Sequence, residues 1–162
     1  MKIDLGKNEL IHFVGIGGIG MSGLALIMNG LGYKVQGSDI SNNRNIERLQ
    51  KKKIRIFLNH KKENIKKTTV IVISSAIKKN NPELVEAIKK NLPVYTRGDM
   101  LGHIVSFMRN VVVTGSHGKT TTTSLVSNIF TLGNLDPTII NGGISVSYTH
   151  LRAHETRHDI VC

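Results

Sequence analysis

The chain runs Leu10-Ile11-His12-Phe13-Val14-Gly15-Ile16-Gly17-Gly18-Ile19-Gly20 near its N-terminus, an apolar strand candidate that passes directly into a glycine-rich turn. Residues 21–28 then predict a buried helix, which the turn at residues 29–32 would end. The next strand is predicted over residues 33–37, and Asp39 follows at its end. This order of strand, G-x-G-x-x-G turn, helix, strand and acidic residue is typical of the β-α-β unit that binds dinucleotides.

Each glycine of the turn has a predicted role. Gly15 allows the tight turn, and Gly20 lets the helix pack closely against the strand. Gly17 and Gly18 let a pyrophosphate approach the backbone. The motif alone does not separate NAD from FAD or a UDP-sugar, so it predicts a diphosphate ligand and no particular one.

Strands and helices continue to alternate along the chain. Further strands are predicted over residues 53–57, 68–74 and 93–96, and helices over residues 82–90 and, after the segment 97–101, towards residue 108. The run at 68–74 is apolar on both faces, as is typical of a central strand in a parallel sheet. The predicted fold class for residues 1–109 is therefore α/β, a Rossmann-like domain built on a parallel sheet.

Polar residues follow two of these strands. Ser74 and Ser75 lie at the carboxyl end of the fourth strand, where open α/β sheets bind their ligands. Arg97 lies at the end of the fifth strand. Its guanidinium suits a phosphate or a carboxylate, and an exposed cation at a turn is an equally good interpretation of the spacing.

A second glycine loop, Val113-Thr114-Gly115-Ser116-His117-Gly118-Lys119-Thr120-Thr121, closes an apolar run and opens a helix. Backbone N–H groups, a helix N-terminus and one ammonium would converge there, which suits a nucleotide polyphosphate such as ATP or GTP. Lys119 would contact the β- and γ-phosphates, and the Thr120 hydroxyl would bind Mg²⁺. The loop is a shortened variant, because Val113 stands where the usual phosphate loop has its first glycine.

Composition limits the class of protein. A length of 162 residues allows one full domain and part of a second. Cys162 is the sole cysteine, which favours a reducing compartment. The N-terminus lacks a signal-peptide pattern, and no apolar stretch approaches the roughly 20 residues that span a bilayer. We therefore expect a cytoplasmic protein without a membrane partner.

The net charge of +11 raises the question of nucleic-acid binding. The lysines occur as doublets and triplets spread over connecting segments and helix ends, and no zinc-finger, helix-turn-helix or RNA-recognition pattern accompanies them. We expect solvated surface charge with a general attraction for phosphate-bearing ligands, and no nucleic-acid partner.

Two glycine loops about a hundred residues apart, one suited to a diphosphate and one to ATP, are an unusual pair. In this combination the chain resembles the Mur ligases of bacterial cell-wall synthesis over residues 8–145. The matching segments are residues 12–23, 37–39, 74–77, 97–101, the phosphate loop, Pro137-Thr138 and Gly142-Gly143. Two departures are conservative: Arg97-Gly98-Asp99 stands where the family usually has Arg-Ala-Glu, and Ser116 replaces a commoner Thr.

The resemblance implies a three-domain, ATP- and Mg²⁺-dependent ligase that joins L-alanine to UDP-N-acetylmuramate through an acyl phosphate during peptidoglycan precursor synthesis. Two alternatives stay open: the related ligase that recycles a ready-made tripeptide, and a nucleotide-binding Rossmann module without catalysis.

The resemblance also implies the two sets of binding residues. The UDP-sugar would be bound by Gly15, Gly17, Gly18, Ile19, Gly20, Met21, Ser38, Asp39, Ser74, Ser75 and Arg97. ATP would be bound by Gly115, Ser116, His117, Gly118, Lys119, Thr120 and Thr121, with Lys119 and Thr120 as the catalytic pair and Thr120 as the Mg²⁺ ligand.

Residues 110–145 would then be the truncated start of the ATP-binding domain, and we expect the 162-residue chain alone to be inactive. Residues 146–162 fit no part of the family pattern. They resemble translated adaptor sequence from short-read library preparation, so we expect an artefactual tail. The tail holds a formal H-E-x-x-H match at His154, Glu155 and His158, but only four residues follow it, which leaves no room for a downstream third zinc ligand.

Overall fold

The computed structural model of the protein describes residues 3, 5–141 and 159–161. The chain divides into two units, Met1–Gly102 and His103–Cys162. The predicted domain boundary near residue 109 is not tested by this division and stays a prediction. The tail at residues 146–162, with its H-E-x-x-H match, lies outside the described residues except for residues 159–161.

The first unit is built on a parallel five-stranded sheet in the order β3-β2-β1-β4-β5. The strands are β1 Leu10–Val14, β2 Lys34–Asp39, β3 Arg55–Leu58, β4 Val70–Ile73 and β5 Val94–Thr96. The helices are α1 Ile19–Gly30, α2 Arg44–Lys51, α3 Pro82–Lys89 and the start of α4 Arg97–Phe107, with a 3₁₀ helix over Lys62–Ile65. The predicted parallel α/β sheet is confirmed, and β1 has its predicted bounds.

The core lies where the central strands meet α1. Ile11, Phe13 and Ile71 are fully buried on β1 and β4, and α1 is buried without interruption from Met21 to Met28. A parallel sheet needs cover on both faces, which is why its central strands and first helix are mostly apolar, with His12 on β1 and Ser22 on α1 as buried polar residues.

Asparagine side chains start the two helices that flank the sheet's carboxyl edge. Asn43 accepts hydrogen bonds from the N–H groups of Asn45 and Ile46 and so caps α2. Asn81 does the same for α3, which continues with a proline in its first turn. Both residues satisfy N–H groups that the first helical turn leaves without partners. No helix is predicted from the sequence over residues 44–51, so α2 is an addition.

The second unit contains β6 Arg109–Val111, α5 Lys119–Leu132, β7 Thr138–Ile139 and β8 Asp159–Val161. These strands pair in parallel in the order β6-β8-β7. β6, the strand before the phosphate loop, ends at Val111.

Candidate functional site

The order of the strands creates a crevice at the carboxyl end of the first sheet. β1 lies between β2 and β4. The chain first continues from β1 to β2 and β3 on one side, and then crosses to β4 and β5 on the other side. This reversal of strand order is the switch point where doubly wound sheets bind ligands. A cleft of about 660 Å³ opens there. Its walls are the glycine loop after β1, residues 39–43 after β2, His60 and the segment from Ser74 to Pro82. Its size suits a small-molecule ligand.

The glycine loop is held in place from β2. The N–H groups of Gly15 and Ile16 both donate to the Ser38 carbonyl, at 2.8 and 3.0 Å. Gly15 has a φ of +80°, and a Cβ there would lie 3.2 Å from the Cβ of Ser74. A side chain at Gly15 would therefore strain the backbone and narrow the cleft.

Asp39 ties the same loop down through its carboxylate. Its Oδ2 accepts from the Gly17 N–H at 2.8 Å, and its Oδ1 accepts from the Ser41 N–H and hydroxyl at 3.1 Å. A Cβ at Gly17 would lie 2.9 Å from Oδ2, so only glycine fits this contact. The acid after β2 thus shapes the loop that faces the ligand, in addition to lining the cleft.

The N-terminus of α1 carries positive potential. Gly18 is the N-cap residue, and no side chain caps the helix. Arg97 packs against this first turn: a Cβ built on Gly20 would lie 2.6 Å from Arg97 Nη1. The first turn of α1 thus combines uncapped N–H groups, the positive end of the helix dipole and a nearby guanidinium. Such a combination favours the binding of an anion. Arg97 is itself exposed, so both interpretations of this residue, an anion-binding guanidinium and an exposed cation, stay open.

The predicted UDP-sugar residues occupy different positions around the cleft. Five line it: Gly15, Gly17, Gly18, Asp39 and Ser74. Ile19, Gly20 and Arg97 lie at the start of α1 or against it, and Ser75 is exposed beyond β4. Met21 and Ser38 are buried and are not part of the cleft lining. Contacts of all of these residues with a ligand stay predictions.

A buried polar network lies behind one cleft wall, and the sequence motifs do not predict it. The carboxylate of Glu83, at the start of α3, is fully buried and accepts from Ser38 Oγ at 2.5 Å and from Asn64 Nδ2 at 2.6 Å. His60 Nδ1 lies 3.1 Å from the same carboxylate, and His12 Nε2 lies 3.5 Å from it. The only local signals are Asn59-His60, after the third strand, and Asn81-Pro82-Glu83, which predicts a helix start.

Burial raises the pKa of Glu83, but the contacts with His12, Ser38 and Asn64 lower it more, so its pKa lies below the ordinary value. The carboxylate is therefore ionised at neutral pH.

The phosphate loop is exposed in its own unit. Gly118 has a φ of +76° and is the N-cap residue of α5, which begins at Lys119. The Lys119 ammonium donates to the Gly115 carbonyl at 2.5 Å and to the Ser116 carbonyl at 3.3 Å. The ammonium and the N-terminus of α5 thus lie on the same loop, as an ATP-binding loop requires. His117, Thr120 and Thr121 are exposed.

The part of the chain that the structure describes contains no group of three His, Cys, Asp or Glu side chains that could hold a metal ion. Within the same residues, no helix has both the length and the apolar character needed to cross a membrane.

The strand order and the cleft are those of a doubly wound α/β protein, a class whose members bind ligands at the switch point. Residues 10–109 match the family model described as "Mur ligase family, catalytic domain". The chain belongs to the Mur ligase family.

Named relatives agree with this assignment. The chain is 67% identical over 144 residues to the UDP-N-acetylmuramate–L-alanine ligase of Pelagibacter ubique, covering 89% of this chain and 31% of that relative. It superposes on the UDP-N-acetylmuramate–alanine ligase of Thermotoga maritima with a TM-score of 0.78 at 31% identity, over 93% of this chain and 36% of the other. It superposes equally well, at 25% identity, on a Neisseria meningitides ligase for UDP-N-acetylmuramate and L-alanyl-γ-D-glutamyl-meso-diaminopimelate, over 95% of this chain and 52% of the other. The chain thus spans about a third of the length of the first relative.

Proposed function

We propose that this chain is part of an ATP-dependent ligase that joins L-alanine to UDP-N-acetylmuramate, and that residues 1–109 bind the UDP-sugar. The observation that carries the proposal is the switch-point cleft, with Arg97 beside the uncapped N-terminus of α1. The 67% identity to a relative named for this reaction supports L-alanine as the amino acid, and among the solved structures the alanine ligase is 31% identical and the ligase named for L-alanyl-γ-D-glutamyl-meso-diaminopimelate 25%.

In this proposal the diphosphate lies over the first turn of α1. The helix has no side-chain cap, so the N–H groups at Ile19, Gly20 and Met21 would each donate to a phosphate oxygen. Arg97 adds a charge-assisted contact from the β5 side. The glycine loop supplies the close approach, because Gly17 and Gly18 line the cleft without side chains.

Two features of the chain support a UDP-sugar over a nicotinamide dinucleotide as the ligand of the cleft. In dinucleotide enzymes the acid after the second strand binds a ribose hydroxyl. Here the carboxylate of Asp39 is buried and holds the protein's own loop, through the N–H of Gly17 and the N–H and hydroxyl of Ser41. The phosphate loop that follows in the same chain is the second feature, since an ATP-type loop fits a ligase.

The ligase chemistry needs activation of a carboxylate. A carboxylate oxygen of the muramyl lactate group would attack the γ-phosphorus of ATP, and ADP would leave. The L-alanine amine would then attack the acyl carbon, and phosphate would leave. Lys119 and the Thr120 hydroxyl fit a nucleotide with Mg²⁺, which supplies charge stabilisation at the transferred phosphoryl group.

Parallel titrations with two ligands test the proposal on the 162-residue chain, which contains every residue that lines the cleft. Calorimetry with UDP-N-acetylmuramate and with NADH compares the two ligand classes directly. We expect heat from UDP-N-acetylmuramate and none from NADH at matched concentration. A preference for NADH would contradict the ligase assignment and favour the Rossmann module without catalysis.

A further inference from the structure

We propose that Glu83 is a positioning residue for the cleft: it fixes His60 in the Nδ1–H tautomer, so that Nε2 of His60 is a hydrogen-bond acceptor for an N–H or O–H group of the bound ligand. The inference rests on the proposed function for the identity of that ligand. The tautomer itself follows from the protein alone.

The first step is the count of donors around Glu83. Ser38 Oγ donates to Oε2 at 2.5 Å, and Asn64 Nδ2 donates to Oε1 at 2.6 Å. Both oxygens therefore already accept a hydrogen bond. An ionised carboxylate has no proton to donate, so any further close partner must be a donor.

The second step is the position of His60. Its Nδ1 lies 3.1 Å from Glu83 Oε2 and 2.9 Å from Ser38 Oγ. The single hydroxyl proton of Ser38 is already donated to Glu83. Neither neighbour has a proton left for Nδ1, so Nδ1 itself carries one and shares it between the two oxygens.

The third step is the charge on the other side of the carboxylate. His12 Nε2 faces Glu83 Oε1 at 3.5 Å, a distance too long for a full hydrogen bond, and has no hydrogen-bond partner among the described residues. Gln36 Nε2 lies 3.1 Å from His12 Nδ1, but its two hydrogens already go to the Asn64 carbonyl and to Thr68 Oγ1, so this contact does not set the His12 tautomer. Burial raises the pKa of Glu83, and its contacts with His12, Ser38 and Asn64 lower that pKa more, so the carboxylate is ionised.

The last step is the link to the cleft. The His60 side chain is 12% exposed, and the residue is part of the cleft wall. With Nδ1 committed to the network, Nε2 is the remaining nitrogen, and the described residues offer it no hydrogen bond. A neutral imidazole protonated at Nδ1 accepts at Nε2. Side chains from β2, the segment after β3, the 3₁₀ helix and α3 thus hold His60 so that its Nε2 can accept a hydrogen bond from a ligand.

The tautomer is measurable without any ligand. Long-range ¹H–¹⁵N correlation spectra of the 162-residue chain, recorded at about pH 8.5 where an ordinary imidazole is neutral, distinguish the two ring nitrogens. We expect a protonated Nδ1 and an unprotonated Nε2 at His60. A wild-type spectrum with the proton on Nε2 would overturn the inference, whatever any variant does.

Glu83→Gln supplies the matched perturbation, because it keeps the shape and replaces one acceptor oxygen by a donor NH₂. We expect His60 to move towards the Nε2–H tautomer. Affinity for UDP-N-acetylmuramate should fall about tenfold, which corresponds to one lost hydrogen bond of ordinary strength. The control is Glu86→Gln on the same helix, which removes the same charge from an ion pair with Lys90 that is partly exposed. It should change neither the tautomer nor the affinity.

The outcomes separate this inference from the proposed function. Absence of UDP-N-acetylmuramate binding by the wild-type chain contradicts the proposed function, while the ligand-free tautomer still decides the role of Glu83. Normal binding with unchanged affinity in Glu83→Gln overturns the positioning role. If Glu83→Gln does not fold, the wild-type Nε2 resonance serves instead: it should move upfield on addition of UDP-N-acetylmuramate, and an unmoved resonance contradicts the inference.

Discussion

Gly20→Ala should weaken ligand binding without weakening the fold. The added Cβ would lie 2.6 Å from Arg97 Nη1 and 3.1 Å from Arg97 Cδ, so the guanidinium must leave the first turn of α1. Arg97 is exposed and its side chain is long, so other rotamers are open to it and its displacement costs little in the free protein. Alanine in place of a helical glycine contributes at most about 1 kcal/mol of extra stability. The urea midpoint should therefore stay the same or rise slightly.

The loss should fall on affinity. A charge-assisted hydrogen bond between a guanidinium and a phosphate contributes roughly 1.5–3 kcal/mol, so its loss weakens binding by about 10- to 150-fold. Calorimetric titration with UDP-N-acetylmuramate measures this. Gly102→Ala is the matched control: it is the same change in a helix, at a position where a Cβ meets nothing within 4 Å.

The double variant Gly20→Ala/Arg97→Ala sharpens the test. If both changes act through the same guanidinium, the double variant binds no more weakly than Arg97→Ala alone. Wild-type affinity in Gly20→Ala, or fully additive losses in the double variant, would refute the role assigned to Arg97.

Three further predictions follow from the described contacts. Gly37→Ala should destabilise the chain by about 2–3 kcal/mol in urea unfolding, because its Cβ would lie 2.6 Å from both Ile16 Cδ1 and the Phe13 carbonyl oxygen, whereas Gly98→Ala, with its nearest atom at 3.6 Å, should not. The pKa of Glu83 is lower in the folded than in the unfolded state, so its stabilising contribution is present above the ordinary value of 4.5 and is lost as pH falls through the folded pKa. Urea unfolding at falling pH should therefore show a smaller loss of stability in Glu83→Gln than in the wild type. Equal losses of stability would contradict this. The purified 162-residue chain should show no alanine-dependent ADP release in a coupled assay, since it spans 31% of its Pelagibacter relative, and turnover would show that this part suffices.

Most of the fold of the first unit could be predicted from local sequence patterns. β1 and the parallel arrangement follow from an apolar strand, a glycine turn and a buried helix in succession, and the switch point follows from the same order. The helix α2 is missed because residues 44–51 have only two buried apolar side chains, Ile46 and Leu49, and a polar remainder. Its start is set by the Asn43 cap, a signal that also occurs in ordinary turns.

The candidate site was only partly predictable, for a physical reason. The glycines and Asp39 belong to a contiguous motif, but the engagement of Asp39 with Gly17 depends on how β2 is aligned with β1. The network around Glu83 joins residues from β1, β2, the segment after β3 and α3. Side chains that meet only through tertiary packing leave no periodic or spaced signal in the sequence, so neither His60 nor Glu83 is singled out there.

The central claim is that UDP-N-acetylmuramate binds at the switch-point cleft. Its most direct test is chemical-shift mapping with ¹⁵N-labelled chain and unlabelled UDP-N-acetylmuramate. We predict saturable shifts at the amides of Gly15 to Gly20, with further changes at His60 and Arg97, and no comparable shifts around the phosphate loop. Saturable shifts that avoid the glycine loop and α1, or none at all at millimolar ligand, would contradict the account.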